Sequence, residues 1–312
     1  MKHLRLSHAL IVRVLIGAFA STVVHASERI ELSGVAIAPE SITSTSAGVI
    51  YIGSATRKVY RAGPGDGIAV PWTESPADGP RSTFGVFADE AAKVLWACAG
   101  SVPASTSELY AFDLATGALS ARFPLPTPGG ICNDIAVARD GTVFATDSAN
   151  MQVVRLRKGP SRLEVWAGKD TGAFGDPKGI IDGIAVTGDR VIVNTLVSRK
   201  LFSIPLEAGG AAKSVSEIVL DHPLDGPDGM RSVGGNTLLV AESGGVGALA
   251  QVTITGNRGS VKRLRKGFER GIVAVTVSTS IAFVLGNRPM KVVAPGEAAQ
   301  FEAGSVSLGD YK

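Results

Sequence analysis

Short apolar runs separated by polar turns recur along most of the chain. Residues 132–158, CNDIAVARDGTVFATDSANMQVVRLRK, hold an apolar run, a polar turn, a second apolar run, a polar break and a third strand-like piece. The same arrangement begins again at residues 39, 83, 181, 227 and 269. Runs this short, bounded by Gly, Asn, Asp and Ser, are typical of β-strands, and no stretch with helical periodicity is comparably long.

The repeats have a nearly constant length. We align them on the residue at the entrance of the first strand, which gives the set Glu40, Phe84, Asn133, Asp182, Asp228 and Arg270. Their successive spacings are 44, 49, 49, 46 and 42 residues. Repeats of this length, with three or four strands each, are typical of β-propeller blades, which bury their faces by stacking around an axis. The sequence therefore predicts an all-β fold, a six-bladed β-propeller that forms a single domain over residues 27–312.

Each blade is expected to end in an outer strand. We predict five of these strands at residues 69–72, 121–125, 163–167, 215–220 and 261–264. For the last blade two segments qualify, residues 29–35 and residues 300–308, and either would close the ring.

Residues 1–26 have the features of a signal peptide. Three basic residues form the start, an apolar run of 11 residues follows, and Val24-His25-Ala26 fits a small-x-small cleavage site. The run is shorter than the ~20 residues that a membrane-spanning helix needs. We therefore expect a periplasmic or secreted protein whose mature chain begins at Ser27 and does not associate with a membrane.

Removal of the leader changes what the composition implies. The net charge of +3 belongs to the leader, and the remaining chain has 28 basic and 28 acidic residues, which gives no support to nucleic-acid binding. Of the four His residues only His222 remains, and the chain has no G-x-S-x-G motif. His-based metal sites are excluded and a serine-hydrolase triad is disfavoured. Chemistry would have to use carboxylates, amides and an oxygen-binding cation.

The six aligned residues are expected to meet at one mouth of the central channel, which the innermost strands of a propeller line. They comprise three carboxylates, one amide, one aromatic ring and one cation. Three acids that meet without a partner would repel one another, and Arg270 could neutralise only one of them. An all-oxygen set favours a single divalent metal, Ca²⁺, with Mg²⁺ or Mn²⁺ as alternatives. A mouth whose polar residues bind only water is the other interpretation.

Short motifs in a fixed order resemble the gluconolactonase family. Pro39-Glu40-Ser41, Asn133-Asp134, Asp182-Gly183 and Pro227-Asp228-Gly229-Met230 carry the resemblance, which extends over nearly all of the mature chain. The family includes regucalcin (senescence marker protein) and luciferin-regenerating enzyme. Its members are six-bladed propellers with one divalent metal in the central channel, and many open lactone rings. The resemblance implies metal ligation by Glu40, Asp182 and Asp228, with Asn133 as a further ligand or a substrate contact.

The resemblance further implies an exported, metal-dependent hydrolase that opens a lactone or a related ester. The metal would act as Lewis acid on the carbonyl, and Asp228 would act as general base. Asn133 would orient the ring oxygen or the carbonyl. Arg270 would either stabilise the carboxylate product or pair with a neighbouring acid.

Two positions depart from the family pattern. The family usually has Asn at the position of Asp182, and its sugar-lactone members tend to have Arg at the position of Ile131. Ile131 and Phe84 therefore fit a less polar small-molecule substrate than a sugar lactone.

Two other functions stay open. Residues 135–156, IAVARDGTVFATDSANMQVVRL, also resemble NHL repeats, which mostly serve as binding scaffolds. The chain could therefore be a non-catalytic periplasmic propeller that binds a protein or a small ligand. It could also be a non-hydrolytic relative, either a lyase or a strictosidine-synthase-like enzyme. In each case we expect a monomer.

The two cysteines, Cys98 and Cys132, lie in neighbouring repeats. A disulfide and two small buried thiols are both consistent with this placement. Asp147 and Glu242 end second strands and are expected to be solvated. The three Trp residues are expected to pack within the blades.

Overall fold

The computed structural model describes residues 29–34, 38–101, 106–159, 161–168, 174, 180–207, 210, 212, 214–268, 271–278, 281–286 and 302–307. The predicted leader, residues 1–26, and Arg270 lie outside these residues. The described chain consists of strands, turns and irregular segments without helices, so the all-β prediction is confirmed. Nothing in this part of the chain is a helix that could span a membrane.

The 24 strands of the described residues follow one another in antiparallel groups of four, which we call units. The first of these strands, β1 (Arg29–Leu32), belongs to the last unit. Unit 1 contains β2 (Pro39–Ser44), β3 (Ile50–Ser54), β4 (Lys58–Ala62) and β5 (Ile68–Glu74). Unit 2 contains β6 (Ser82–Asp89), β7 (Val94–Gly100), β8 (Ser107–Asp113) and β9 (Leu119–Pro124). Unit 3 contains β10 (Cys132–Val137), β11 (Val143–Asp147), β12 (Gln152–Leu156) and β13 (Glu164–Ala167).

The remaining units repeat the same order. Unit 4 contains β14 (Ile181–Thr187), β15 (Arg190–Thr195), β16 (Leu201–Pro205) and β17 (Ser216–Leu220). Unit 5 contains β18 (Pro227–Ser232), β19 (Thr237–Glu242), β20 (Ala248–Thr255) and β21 (Arg258–Lys266). Unit 6 contains β22 (Ile272–Ser278), β23 (Ile281–Gly286), β24 (Glu302–Ser307) and β1. The five predicted outer strands correspond to β5, β9, β13, β17 and β21.

The last unit uses both of the segments that qualified as its outer strand. β24 pairs with β23 as the third strand, and β1 pairs antiparallel with β24 as the fourth. The expectation that one segment or the other would close the ring is corrected, because both segments form strands of this unit.

Short parallel contacts join some units through their outer strands. β1 pairs with β5 through Glu31 and Ile68, and β17 pairs with β21 through Val219 and Arg258. The result is two eight-stranded and two four-stranded sheets.

The hydrophobic core lies between units. Ile184 of unit 4 packs with Phe144 of unit 3, and Ile135 of unit 3 packs with Trp96 of unit 2. Trp96 and Trp166 are buried, as expected for packing residues. The first strands of successive units contact one another in a closed ring, which runs β2, β6, β10, β14, β18, β22 and back to β2.

Cys98 and Cys132 form a disulfide between β7 and β10, with their Cα atoms 5.0 Å apart. Both residues are fully buried. The bridge resolves the alternative left open by the sequence and links unit 2 covalently to unit 3.

Candidate functional site

The first strands of the first five units carry a β-bulge at the aligned position. In unit 1, Pro39 pairs with Ser54 and Ser41 pairs with Gly53, so Glu40 is the extra residue. Phe84, Asn133, Asp182 and Asp228 occupy the same place in units 2 to 5. A bulge redirects a side chain out of the regular alternation, which is why these residues leave the core faces of their strands.

The register of unit 6 differs from the sequence alignment. Ile272 pairs with Gly286 and Ala274 pairs with Leu285, which makes Val273 the extra residue of β22. Val273 lies three residues beyond Arg270. The alignment placed the entrance at the last polar residue before the apolar run, but here the bulge lies inside that run. The proposed role of Arg270 stays a prediction, since Arg270 is not among the described residues.

Glycines let neighbouring bulges approach each other. A Cβ at Gly183 would meet the carbonyl oxygen of Asp228, and a Cβ at Gly229 would lie 2.8 Å from the carbonyl oxygen of Val273. A Cβ at Gly85 would likewise meet the carbonyl oxygen of Asn133. Only Gly fits where two backbones are this close, so the first strands hold consecutive bulges side by side.

All three acids of the set have raised pKa values. Burial raises the pKa of the partly buried Glu40 to about 7. Burial raises the pKa of Asp182 to about 7 as well, and the negative charges of Asp134 and Glu40 contribute to this shift. The pKa of Asp228 lies well above its usual value because of burial and the charges of Asp182 and Glu40. Across the described chain, no cationic side chain offsets these shifts.

The donor chemistry of this cluster fits a hard divalent cation, since carboxylate and amide oxygens are the ligands that Ca²⁺ prefers. The side chains do not form a complete metal site in this arrangement, however. Among the described residues, no three Asp, Glu, His or Cys side chains lie close enough to hold one metal ion. The acids of Glu40, Asp182 and Asp228 would have to converge further on binding.

Asn133 is held beside this cluster by a short relay. Its amide nitrogen donates to the hydroxyl of Ser148 at 3.0 Å, and that hydroxyl donates to the carbonyl of Ile181 at 2.5 Å. The relay crosses from unit 3 to unit 4 and connects the Asn133 amide to Ile181, the residue before Asp182.

Two apolar residues of the predicted site, Phe84 and Ile131, are partly buried. The Phe84 ring packs against Gly100, where an added Cβ would meet it at 2.9 Å. The N–H of Ile131 donates to the carboxylate of Asp147 at 2.9 Å. Ile131 is therefore tied to the end of β11.

The acids Asp147 and Glu242 are buried, which corrects the expectation that they are solvated. Their exposed fractions are 0% and 1%. Asp147 accepts hydrogen bonds from the Gln152 amide and the Asn150 amide, in addition to Ile131. Glu242 accepts two hydrogen bonds from Arg263. These donors come from neighbouring strands, β12 and β21, and from connecting segments, so both acids are buried with hydrogen-bond partners.

The repeat alignment did not single out Arg231, which forms a buried ion pair with Asp134 at 3.0 Å. Arg231 lies in β18 between residues that the repeat pattern makes apolar or small. A charged residue inside such a run was the available signal, because buried Arg is rare unless it is paired.

Comparisons with known proteins rest on structure alone. No family model and no curated protein matches the chain. A gluconolactonase from Xanthomonas campestris has 16% sequence identity and a TM-score of 0.63, covering 87% of each chain. Regucalcin from Agrobacterium tumefaciens, a calcium-binding protein, has 14% identity and a TM-score of 0.60, covering 88% of this chain and 95% of its own.

Virginiamycin B lyase from Staphylococcus aureus has 13% identity and a TM-score of 0.58, covering 89% of this chain and 98% of its own. The chain has a β-propeller fold. The expected resemblance to gluconolactonase and regucalcin is confirmed at the level of the fold. At these sequence identities a shared fold does not establish a shared activity, so the function has to be argued from the residues.

Proposed function

We propose that the six units are the blades of a six-bladed propeller, with its reactive centre at the channel mouth that carries Glu40, Asp182 and Asp228. The closed ring of first strands supports this count, because each unit contributes one strand to the ring. β1 and β24 would then close the ring by completing the last blade.

We further propose that the protein is a metal-dependent hydrolase of a lactone or a related ester. The observation that carries the proposal is the group of three acids whose pKa values are all raised, with no compensating cation among the described residues. Three acids of this kind, one buried and two partly buried, are costly unless a cation joins them. Ca²⁺ suits an all-oxygen set best, with Mg²⁺ and Mn²⁺ as alternatives.

Glu40, Asp182, Asp228 and Asn133 would hold the metal. When bound, the metal would supply Lewis acidity toward the carbonyl of the substrate and stabilise negative charge on its oxygen. Water adds to the carbonyl carbon, and the ring C–O bond breaks. Asp228 accepts the proton of that water and returns it to the leaving oxygen, which yields a hydroxy acid. Asn133 orients the carbonyl or ring oxygen through its amide.

The substrate is a small molecule of low polarity. Phe84 and Ile131 are partly buried apolar side chains in first-strand or entrance positions, and they offer no hydrogen-bond donors to sugar hydroxyls. Arg270, close in sequence to β22, would meet the carboxylate of the product.

A panel of aliphatic and sugar lactones, assayed with Ca²⁺ and with chelator, tests this proposal. Hydrolysis that chelator abolishes supports it, and Asp228→Asn should remove the activity. Asp189→Asn is the matched control, because the Asp189 side chain is 84% exposed and lies just beyond the end of β14 that is opposite the bulge of Asp182. Absence of turnover with every lactone would overturn the hydrolase proposal.

A lyase is the second candidate, because virginiamycin B lyase shares the fold over nearly its whole length. Mass spectrometry of the product separates the two reactions. Hydrolysis adds the mass of one water to the substrate, and elimination adds nothing. A propeller that binds its ligand without turnover would leave the mass unchanged and the ligand intact.

We also propose that the protein is exported to the periplasm or beyond and acts as a monomer. The signal-peptide features of residues 1–26 support export, and the Cys98–Cys132 disulfide suits an oxidising compartment. Intact-mass measurement of protein from the cell envelope should give a chain that begins at Ser27. A full-length chain in the soluble cytoplasm would contradict export.

A further inference from the structure

The six first strands have one edge each that no strand covers. Each of them stands at an end of its sheet and pairs only with the second strand of its own unit. The free edges therefore turn N–H and C=O groups toward the space that the ring encloses. Buried backbone groups of this kind need hydrogen-bond partners.

Arg231 supplies partners for several of these edges. Its Nη2 donates to the carbonyl of Val86 at 3.1 Å and to that of Ile42 at 3.4 Å. Its Nη1 donates to the carbonyl of Met230 at 2.8 Å and to both carboxylate oxygens of Asp134, at 3.1 and 3.0 Å. One guanidinium thus connects the first strands of units 1, 2, 3 and 5.

Asp134 extends the connection to unit 4. Its carboxylate accepts the N–H of Ile184 at 3.2 Å, two residues beyond Asp182. Its own N–H donates to the hydroxyl of Thr146 at 2.9 Å, and that hydroxyl donates to the carbonyl of Asp182 at 2.7 Å. The bulges of Asn133 and Asp182 are therefore fastened together through Asp134.

We propose that Asp134 and Arg231 are positioning residues that cross the propeller axis and hold the bulges of Asn133 and Asp182 in place for cation binding. Arg231 also gives Asp134 a cationic partner, which Glu40, Asp182 and Asp228 lack among the described residues. The cation-binding part of this inference rests on the proposed function.

The chemistry of the pair favours positioning over simple stabilisation. Within the described residues, Arg231 Nε is the buried side-chain polar atom that lacks a partner. Buried ion pairs contribute little net stability compared with apolar residues of similar size, and their best-attested use is to specify one arrangement. Only the planar fork of Arg reaches a carboxylate and carbonyls on other strands at once, and Lys cannot reproduce that geometry.

A second ion pair in the same unit provides a matched control. Arg263 donates from Nε to Glu242 at 2.7 Å, and Glu242 is also buried. This pair joins β21 to β19 within unit 5 and contacts no first strand through its guanidinium. Arg231→Lys and Arg263→Lys therefore make the same chemical change. Arg231 connects first strands across the axis, whereas Arg263 does not.

The test compares Asp134→Asn, Arg231→Lys and Arg263→Lys in the full chain. Amide hydrogen exchange is measured for peptides of β10 and β14, and Ca²⁺ affinity is measured by calorimetry. We expect exchange at Ile184 to be about tenfold faster in Arg231→Lys and Asp134→Asn, because the hydrogen bond to a charged acceptor is weakened. We expect Ca²⁺ affinity to fall about 10- to 100-fold in the same two variants. Arg263→Lys should match wild type in both measurements.

The two measurements separate this inference from the proposed function. Wild type that binds no Ca²⁺ would overturn the metal proposal, and exchange at β10 and β14 would then decide the positioning role alone. Wild type that binds Ca²⁺, with Arg231→Lys equal to Arg263→Lys, would overturn the positioning role and leave the metal site standing. If Arg231→Lys does not fold, Asp134→Asn carries the same comparison, since Asn keeps the size of the side chain and loses only its charge and one acceptor.

Discussion

The side-chain amide of Asn194 donates a hydrogen bond to the backbone carbonyl of Asp228, across the boundary between units 4 and 5. The oxygen of the same amide accepts the N–H of Gly183 at 3.1 Å. Asn194 is fully buried and lies opposite the bulge of its own unit. One side chain therefore fixes the spacing between the bulge of Asp182 and the bulge of Asp228.

Asn194→Ala should destabilise the protein by about 1–3 kcal/mol, because the N–H of Gly183 and the carbonyl of Asp228 would lose a buried partner. Urea unfolding monitored by circular dichroism measures the change. The control Asn257→Ala, in an exposed turn, should alter stability by less than about 0.5 kcal/mol. Equal effects of the two substitutions would show that the bridge between the bulges has no energetic role.

Stability of the metal-free protein should fall as pH rises from about 4.5 to 7. The pKa of Glu40 is raised from 4.5 to about 7 in the native state, and that of Asp182 is raised from 3.8 to about 7. In this window the native state binds more protons than the unfolded state, so deprotonation favours unfolding. Denaturant unfolding in chelator at a series of pH values measures the slope. Glu40→Gln should flatten it, and an unchanged slope in that variant would rule out Glu40 as a contributor.

Ca²⁺ should offset the loss of folding stability that the acids Glu40, Asp182 and Asp228 cause. At a hundredfold excess over the dissociation constant, a ligand bound only by the native state adds ~2.7 kcal/mol to the free energy of unfolding. Thermal melts of wild type at pH 8 should therefore shift upward with Ca²⁺ and return with chelator.

Asp228→Asn should abolish most of that shift. Without metal, this variant should be at least as stable as wild type at pH 8, because burial and the charges of Asp182 and Glu40 penalise the ionised Asp228. Asp189→Asn should retain the full response. A wild-type melting temperature that is indifferent to both Ca²⁺ and chelator would count against the metal site.

Loss of the disulfide should cost about 3–4 kcal/mol, as expected for a bridge that closes a loop of 34 residues. The double variant Cys98→Ala, Cys132→Ala removes the link and keeps both positions small and apolar. Its denaturant midpoint should lie well below that of oxidised wild type and near that of reduced wild type. Intact mass under non-reducing conditions checks that the bridge is present at the start.

The repeat architecture could be predicted because it depends on local pattern. Runs such as IAVA and VFAT in unit 3 alternate with turns at regular distances, and these two runs form β10 and β11. The aligned acids could be found for the same reason, since each stands just inside the apolar run of its repeat. The alignment failed at Val273, where the bulge falls within continuous apolar sequence and no polar residue marks it.

The contacts that cross between units could not be predicted from one sequence. The partners of Arg231 lie on strands 97 to 189 residues away, and nothing in the local pattern identifies them. The burial of Asp147 and Glu242 likewise depends on donors from other strands and connecting segments, such as Gln152 and Arg263. These contacts form only in the tertiary structure, so the spacing of residues along the sequence does not indicate them.

The first and last strands of the described chain, β1 and β24, meet in unit 6. β1 pairs with β24 on one side and with β5 of unit 1 on the other. As the chain is synthesised, β1 is made before β24 and cannot pair with it until β24 has been added. Until then, the unit beside unit 1 is incomplete. Assembly of the ring is therefore completed by the last segment to arrive. A chain cut short before Glu302 would leave exposed strand edges at the seam, where a second, similarly interrupted chain could pair.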